Sequence, residues 1–228
     1  MASVCSAGTD IGFASLDYLQ VAILGVIQGI SELLPISSTA HMRIVPAILG
    51  WHDPGSAFSA AMQLAALAAV VSYFWRDVRE VTVGSITAVR ERNFSSPSFR
   101  LGVAIIVATI PIGIAGLSLS HVLNACGSPL RSLSVIGYAC IAMGALLALA
   151  EVSCRHRRTV GEMRMRDAVI VGLAQVGALI PGVSRSGSTL TAALFLNFKR
   201  EEAARFSFLL GLPAIALAGL KELLVLFH

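Results

Sequence analysis

The sequence predicts an all-α integral membrane protein, and two observations support that fold class. Of its 228 residues, 56% are hydrophobic and only 13% are charged, whereas an ordinary soluble domain has about 25% charged residues. Several apolar runs also approach the roughly 20 helical residues that are needed to cross a hydrocarbon core of about 30 Å. We therefore expect one membrane domain over residues 1–228.

Four apolar runs are long enough, or nearly long enough, to form full transmembrane helices. They comprise residues 54–75, 101–120, 132–150 and 206–220. The last run is the shortest, because Lys221 and Glu222 follow it directly.

Two other regions predict re-entrant helical hairpins. Residues 18–34 and 168–180 are apolar but short, and each leads into a break rich in proline and serine. A second short apolar piece follows each break, at 39–49 and 189–198. Membranes tolerate such irregular backbone only where it is buried in protein or lines a cavity. We therefore expect the two breaks to lie at a shared cavity.

The two hairpin regions also resemble each other in sequence. Ile23, Gly25, Gln28 and Ser37 recur, at an offset of 147, as Ile170, Gly172, Gln175 and Ser184. Farther along, Phe58, Ser59, Leu64 and Ala66 recur, at an offset of 148, as Phe206, Ser207, Leu212 and Ala214. We interpret residues 18–150 and 168–228 as two copies of a repeat, the second incomplete. Chance matching within a restricted apolar alphabet is the alternative interpretation.

The number of spans predicts that the two repeats are inverted. A hairpin returns to the side from which it enters, and three predicted spans separate the two hairpins. The second hairpin must then enter the membrane from the opposite face, with both tips near the midplane. This arrangement is typical of transporters, whose substrate sites lie at the repeat interface.

Arginine is concentrated in two polar segments, residues 76–100 and 155–166. The positive-inside rule predicts that both are cytoplasmic loops, so that the turns at 51–57 and 121–131 lie outside. The formal net charge is +4, but this distribution fits membrane topology better than a nucleic-acid-binding surface, and we expect no nucleic-acid partner.

The first hairpin contains a carboxylate that needs a partner. Gln28 and Glu32 are four residues apart and share one helical face, and Pro35 ends that helix. A charge at membrane depth costs about 2.5–3.5 kcal/mol unless it is paired or hydrated. The next residues offer N-caps and an ionisable ring for a second half-helix: Ser37, Ser38, Thr39 and His41. A purely capping role for either serine is as reasonable as a catalytic one.

The second hairpin offers that partner within PGVSRSGST, residues 181–189. Arg185 is the only charged residue between Asp167 and Lys199, and an arginine can clamp a phosphate group in a bidentate manner. The loop supplies further donors and a flexible backbone through Gly182, Ser184, Ser186, Ser188 and Thr189. A structural ion pair between Arg185 and Glu32 is the alternative. Two other polar residues near the first hairpin, Gln63 and Arg43, are candidates to line the cavity.

These segments resemble the membrane undecaprenyl-diphosphate phosphatases that are associated with bacitracin resistance. QGISELLPISSTAH (28–41) is similar to the first signature of that family and PGVSRSGST (181–189) to the second. FSFLLGLP (206–213) and QLAALAAVVSYFWR (63–76) resemble supporting segments, so the similarity covers nearly the whole chain.

The resemblance implies an enzyme that removes the terminal phosphate from a C55 polyprenyl diphosphate and so regenerates the carrier lipid for peptidoglycan synthesis. It implies a bacterial inner-membrane protein with a periplasm-facing site and a divalent cation, Mg²⁺ or Ca²⁺. Glu32 with Gln28 would form the metal or base region, Ser38 or Ser37 would be the nucleophile, and His41 the general acid or base. Arg185 would bind the diphosphate together with Ser184, Ser186 and Thr189, and Ser37, Thr39 and Gly182 belong to the same expected binding region.

The sequence departs from the family pattern in two ways. Position 28 is Gln where many members have Glu, which removes one anionic ligand. The family usually continues through about two more helices beyond the last predicted span. Either the chain is a short member that pairs with a second copy as a homodimer, or it is a truncated product.

Two other functions stay open on the sequence alone. An inverted repeat would also suit a transporter or flippase that presents a polyprenyl phosphate to each face in turn. A catalytically weak paralogue that binds lipid is the third interpretation, and Gln28 favours it. The two signatures favour the phosphatase.

Overall fold

The computed structural model describes residues 5–6, 9–10, 15–119, 130 and 132–226. A two-residue antiparallel pair, β1 (Cys5–Ser6) and β2 (Thr9–Asp10), precedes the helices. The described part of the chain then contains nine α-helices: α1 (Tyr18–Leu33), α2 (Ser38–Leu49), α3 (Gly55–Tyr73), α4 (Trp75–Arg90), α5 (Pro97–Ser118), α6 (Leu133–Ser153), α7 (Met165–Val176), α8 (Arg185–Phe195) and α9 (Arg200–Leu226). Short 3-10 turns cover Val160–Glu162 and Gly177–Leu179. The predicted all-α class is confirmed.

Within the described ranges, three helices are long and apolar enough to cross a membrane: α5, α6 and the Arg200–Leu220 part of α9. In the apolar stretch of α5 and of α6 only 17% of residues are buried, against 50% in α9. The first two therefore present most of their surface outward, whereas α9 lies inside the bundle. The fourth predicted span corresponds to α3, in which Ala61–Tyr73 forms a shorter apolar helix.

The two predicted hairpins are present as helix, break and helix. In the first, Asp17 and Gln20 form a capping box at the start of α1, and Ser37 caps α2. In the second, the 3-10 turn after α7 leads to Ser184, which caps α8. The equivalence of the two hairpins agrees with the predicted repeat, but the inverted orientation and the repeat boundaries remain predictions.

Two boundaries in the second half differ from the sequence-based expectation. The second half-helix was expected to begin at Thr189, but α8 begins at Arg185, because the Ser184 side chain accepts a hydrogen bond from the backbone N–H of Gly187. The signature loop therefore shrinks to residues 181–184, and Arg185 lies in the first helical turn. The last span begins earlier too, since α9 includes a polar first turn from Arg200.

The first arginine-rich segment is a helix and not the loop that the sequence suggested. Helix α4 packs along α5 through small residues, with Ala88 buried and the Ser85 hydroxyl donating to the Ser98 carbonyl. Its arginines point away from that contact, and Arg79 and Arg90 are exposed. Part of the other predicted loop packs against the bundle. Most of the predicted outer turn at 121–131 lies outside the described residues.

The main core lies between α5, α7, α8 and α9 and includes Phe198, Phe206 and Leu210, all nearly inaccessible to solvent. A smaller cluster of Leu24, Met42 and Phe58 joins the first hairpin to α3. Helix α9 contacts α3, α5 and α8. The second hairpin is thus held in the centre of the bundle and the first one at its side.

Candidate active site

The tips of the two hairpins meet at Glu32 and Arg185. Arg185 Nη2 lies 2.6 Å from Glu32 Oε1, although the two residues are 153 positions apart in sequence. The Glu32 side chain is 7% exposed and that of Arg185 is 17% exposed. The expectation that a partner for Glu32 would come from the second hairpin is therefore confirmed.

The other Glu32 oxygen receives two more hydrogen bonds. Ser38 Oγ donates to Glu32 Oε2 at 2.7 Å, and Gln28 Nε2 donates to the same atom at 3.0 Å. Three donors from three different segments thus fix one carboxylate. Gln28 directs its amide nitrogen at Glu32, and its expected role as a metal ligand remains a prediction.

The start of α2 is strained. Ser37 has a φ of 64°, in the left-handed region that favours glycine, while its Oγ accepts a hydrogen bond from the Ala40 backbone N–H. Such backbone costs roughly 1–3 kcal/mol and is concentrated at functional sites. The strain lets Ser37 cap the helix while the next residue, Ser38, reaches Glu32.

His41 lies one turn into α2, and its Nδ1 is 2.9 Å from the Ser37 carbonyl oxygen. A carbonyl can only accept, so Nδ1 carries the proton and Nε2 of the neutral ring has a free lone pair. His41 is not among the residues that line the cavity described below. Its proposed acid–base role remains a prediction.

The start of α8 is built without strain at its capping serine. Ser184 has an extended backbone with φ −68°, and the reversal of the chain is taken up by Gly182 at φ 99°. A Cβ on Gly182 would lie 2.6 Å from the Ile136 carbonyl of α6, so only glycine fits. The Ser186 hydroxyl then donates to the Leu34 carbonyl at 3.3 Å and ties this helix start to the first hairpin.

Both half-helices direct their N-terminal ends at the same place, because Ser38 and Arg185 are the first residues of α2 and α8. A helix N-terminus carries a partial positive charge and free backbone N–H groups, which together favour an anion. The site therefore combines two helix ends with a guanidinium around one carboxylate. Its electrostatics suit a bound phosphate group.

A cavity of about 150 Å³ opens at this junction. Its polar lining includes Ser31, Glu32, Ser37, Ser38, Thr39, Gln63, Ser184, Arg185 and Ser186. Its apolar lining comprises Ile112, Ala178, Leu179, Val183, Ala214, Ile215 and Ala218. The cavity thus has a polar side for a charged group and an apolar side for hydrocarbon.

Two predicted binding residues stand outside this lining. Gly182 shapes the loop through its backbone, as described above. Thr189 is fully buried, its hydroxyl donating to the Arg185 carbonyl and lying 2.5 Å from the Ser207 hydroxyl. Thr189 therefore connects α8 to α9 through Ser207, and it bonds to the backbone carbonyl of Arg185. Of the two other cavity candidates, Gln63 lines the cavity, whereas Arg43 instead pairs with Asp53 at 2.8 Å.

Sequence reasoning missed two residues that hold Arg185 in place. Ser207 links Thr189 to the Ser186 carbonyl. Gly211 lies directly under the guanidinium, and a Cβ there would collide with Arg185 Nη1. Both lie in the segment FSFLLGLP, whose repeat match to Phe58 and Ser59 was the available signal.

Glu32 is the carboxylate of this site that could ligate a divalent cation. Among the described residues, no group of three or more His, Cys, Asp or Glu side chains could hold a metal ion. Mg²⁺, however, is usually bound by one or two carboxylates, substrate phosphates and water rather than by a complete protein cage. Glu32 and the Ser38 hydroxyl supply two oxygen ligands of the kind that such an ion binds.

Comparisons with known proteins agree on one family. A family model described as "Bacitracin resistance protein BacA" matches residues 21–228. An "Undecaprenyl-diphosphatase 2" of Mesorhizobium japonicum is 74% identical over 196 residues, which cover 86% of this chain and 74% of that protein. An "Undecaprenyl-diphosphatase" of Gloeobacter violaceus is 56% identical, covering 91% and 71%. One of Synechococcus elongatus is 52% identical, covering 91% and 73%.

Proposed function

The chain belongs to the bacitracin resistance protein BacA family, and from that premise we propose that it is an undecaprenyl-diphosphate phosphatase. The enzyme hydrolyses undecaprenyl diphosphate to the monophosphate and inorganic phosphate. This reaction recycles the carrier lipid for cell-wall synthesis and confers resistance to bacitracin. The substrate is a membrane lipid, in agreement with the multi-pass apolar fold.

One observation carries the proposal: Arg185 and two helix N-termini converge on a cavity that also has an apolar wall. The Arg185 guanidinium pairs with Glu32 and packs against Gly211, which has no side chain to displace it. Its backbone carbonyl accepts from Thr189, which also contacts the buried Ser207. A polyprenyl diphosphate has a doubly charged head and a long hydrocarbon tail. The polar side of the cavity matches the diphosphate, and the apolar side matches the first isoprene units.

The hydrogen bonds at the site support two candidate nucleophiles and two candidate bases. Either the Ser38 hydroxyl or a water molecule attacks the outer phosphorus, so that a new P–O bond forms while the bond to the bridging oxygen breaks. Polyprenyl monophosphate leaves with the electron pair of that bond. Attack by water gives inorganic phosphate directly, whereas attack by Ser38 gives a phosphoserine, whose P–O bond to the serine oxygen a water molecule then cleaves to release inorganic phosphate and restore the hydroxyl. If Ser38 attacks, Glu32 Oε2 already accepts its hydrogen bond and is placed to take the proton. His41 Nε2 is the other available base.

A bound Mg²⁺ or Ca²⁺ would neutralise the charge that develops on the transferred phosphoryl group. We propose that Glu32 holds this ion together with substrate oxygens. Because Gln28 is neutral and donates to Glu32, the ion would rest on one protein carboxylate. Its affinity should therefore depend strongly on the presence of diphosphate.

The function is tested by single-turnover release of phosphate from undecaprenyl diphosphate, with and without a chelator. The wild-type protein should release one phosphate per substrate, and Arg185→Lys should lose at least about 100-fold in rate, because an ammonium cannot reproduce the planar guanidinium fork. Arg79→Lys on the exposed face of α4 is the matched control and should keep full activity. Substrate movement between leaflets without phosphate release would instead support the transporter interpretation, and binding without either would support the inactive paralogue.

We further propose that the protein lies in the bacterial inner membrane with the cavity open to the periplasm. In a background that lacks the native cysteines, cysteines at Ser96 and Thr159 should resist an impermeant thiol reagent in whole cells. A cysteine at Ser128, which lies outside the described residues, should react. Labelling of the cysteine at Ser96 would show that the protein has the opposite orientation in the membrane.

The predicted homodimer and the absence of a nucleic-acid partner remain predictions. Crosslinking of the purified protein in lipid nanodiscs over a range of protein-to-disc ratios would test the first. A monomeric species with full turnover would contradict it.

A further inference from the structure

Gln63 occupies an unusual place in the cavity. It lies on α3, whose Ala61–Tyr73 part is otherwise an apolar helix, and it lines the cavity that holds Glu32 and Arg185. Within the part of the chain that the structure describes, its amide has no hydrogen-bond partner. The side chain is half-exposed and borders the cavity, so its amide can donate to a ligand that enters there.

The other polar groups around the cavity are largely committed to the protein. Ser31 donates to the Ile27 carbonyl, and Ser186 donates to the Leu34 carbonyl. The hydroxyls of the two capping serines, Ser37 and Ser184, accept backbone N–H groups. The Glu32 carboxylate already receives three donors. Among the described residues, the donors that remain for a ligand are the rest of the Arg185 guanidinium, the hydroxyls of Ser37 and Thr39, and the Gln63 amide.

The predicted internal repeat allows Gln63 to be compared with the equivalent residue of the second copy. At the offset of 148, Gln63 corresponds to Gly211, since 211 − 148 = 63. Gly211 on α9 makes room for the Arg185 guanidinium, which would collide with any Cβ there. At equivalent positions, α9 therefore has a glycine that leaves room for the Arg185 guanidinium, whereas α3 has a polar side chain that lines the same cavity.

We propose that Gln63 is a binding residue for the outer phosphoryl group of the diphosphate. Its Nε2–H donates to a non-bridging oxygen of that group, which places the phosphorus between Arg185 and the Ser38–Glu32 pair. This inference rests on the proposed function for the identity of the ligand. A neutral amide suits the task because it adds a donor without competing with Arg185 for Glu32.

Substitution of Gln63 separates a substrate role from a structural one. Gln63→Leu keeps the volume and removes the hydrogen bond to a charged oxygen, so kcat/KM for undecaprenyl diphosphate should fall about 10- to 100-fold. The Tm should be unchanged or higher, because no contact within the described protein is lost. Gln63→Glu should lose more activity than Gln63→Leu, because its carboxylate repels the phosphoryl group.

The matched control is Ser72→Ala on the same helix. Ser72 is exposed and its hydroxyl only bonds back to the Ala68 carbonyl, so both kcat/KM and Tm should match the wild type. If Gln63→Leu lowers Tm and activity in parallel, Gln63 is structural and the proposal is wrong. Unchanged kcat/KM in Gln63→Leu would also overturn it.

Binding of inorganic pyrophosphate, followed by calorimetry, distinguishes this inference from the proposed function. The wild type should bind pyrophosphate about tenfold or more tightly than Gln63→Leu. If the wild type shows this difference but releases no phosphate from the lipid, the hydrolase function is wrong and the role of Gln63 stands. If the wild type hydrolyses the lipid and the variants match it, only the role of Gln63 fails. If the wild type neither binds pyrophosphate nor releases phosphate from the lipid, both are wrong.

Discussion

The two hairpins share one architecture and carry opposite chemistry. Each has a helix, a break, a capping serine and a half-helix, and at the offset of 147 Ser38 corresponds to Arg185 and Glu32 to Leu179. The equivalent residues Ser38 and Arg185 bind opposite oxygens of the same carboxylate. Each hairpin thus contributes one helix end, and single side chains give the first hairpin the carboxylate and the second the guanidinium.

The hairpins also differ in how firmly they are held. In α8 seven residues are buried, among them Ser186, Thr189 and Leu194, whereas in α2 three are buried. The second hairpin relieves its turn at Gly182, while the first keeps a strained backbone at Ser37. We infer that the second hairpin is the rigid phosphate-binding frame and that the first carries the reacting groups.

The largest effect on this comparison should come from Glu32→Gln. The change removes the charge that all three donors share and leaves Arg185 without its counter-charge. Metal-stimulated hydrolysis should be abolished, and the free energy of unfolding should fall by about 3 kcal/mol, as for other broken ion pairs that are largely buried. Phosphate release and thermal unfolding in detergent measure both. Full activity in this variant would show that the pair is only structural.

His41→Asn should have a smaller and purely catalytic effect. The equivalent residue in the second hairpin is Ser188, whose hydroxyl also bonds back to the start of its helix, at the Arg185 carbonyl. Asn can keep such a backbone contact but cannot take up a proton, so the rate should fall by roughly 10²–10⁴ while Tm stays within a few degrees. A fall in Tm without a loss of rate would assign His41 to capping alone.

The contact between the two hairpins could be predicted from the sequence because an unpaired charge in the membrane has a high energetic cost. A carboxylate at membrane depth needs a partner, and Arg185 was the only charged residue available in the second hairpin, so their contact followed. The start of α8 did not follow, because PGVSRSGST offers four residues of the N-capping type. Packing of Gly182 against Ile136 decides among them.

Two other features were not predicted from the sequence because they depend on tertiary packing. Helix α4 mixes arginines with apolar residues, and its packing along α5 was not anticipated from the arginine-rich segment. Thr189 has the same capping character as its neighbours, yet it turns towards Ser207 on α9, 18 residues away. Neither outcome can be derived from local propensity.

Gly182→Ala should destabilise the rigid hairpin. The new Cβ would meet the Ile136 carbonyl and would sit on a backbone with φ 99°. A positive φ costs an L-residue about 1–2 kcal/mol and overpacking adds about 1–3 kcal/mol, so unfolding should become easier by about 2 kcal/mol or more. Gly144→Ala on α6, where an added Cβ meets nothing within 4 Å, is the control. Equal Tm values for the two variants would show that the second hairpin is not a rigid frame.

The smallest effect, and the sharpest test of the comparison, is the pair Ser37→Gly and Ser184→Gly. Both variants lose a capping hydroxyl, which costs a few tenths of a kcal/mol when glycine replaces serine. Only Ser37 has a left-handed backbone, so glycine there also relieves about 1 kcal/mol of strain. Ser37→Gly should therefore be the more stable of the two by about 1 kcal/mol, as measured by thermal unfolding in the same detergent. If Ser184→Gly is as stable as Ser37→Gly, the first hairpin stores no strain, and the division into a rigid hairpin and a strained reactive one has to be abandoned.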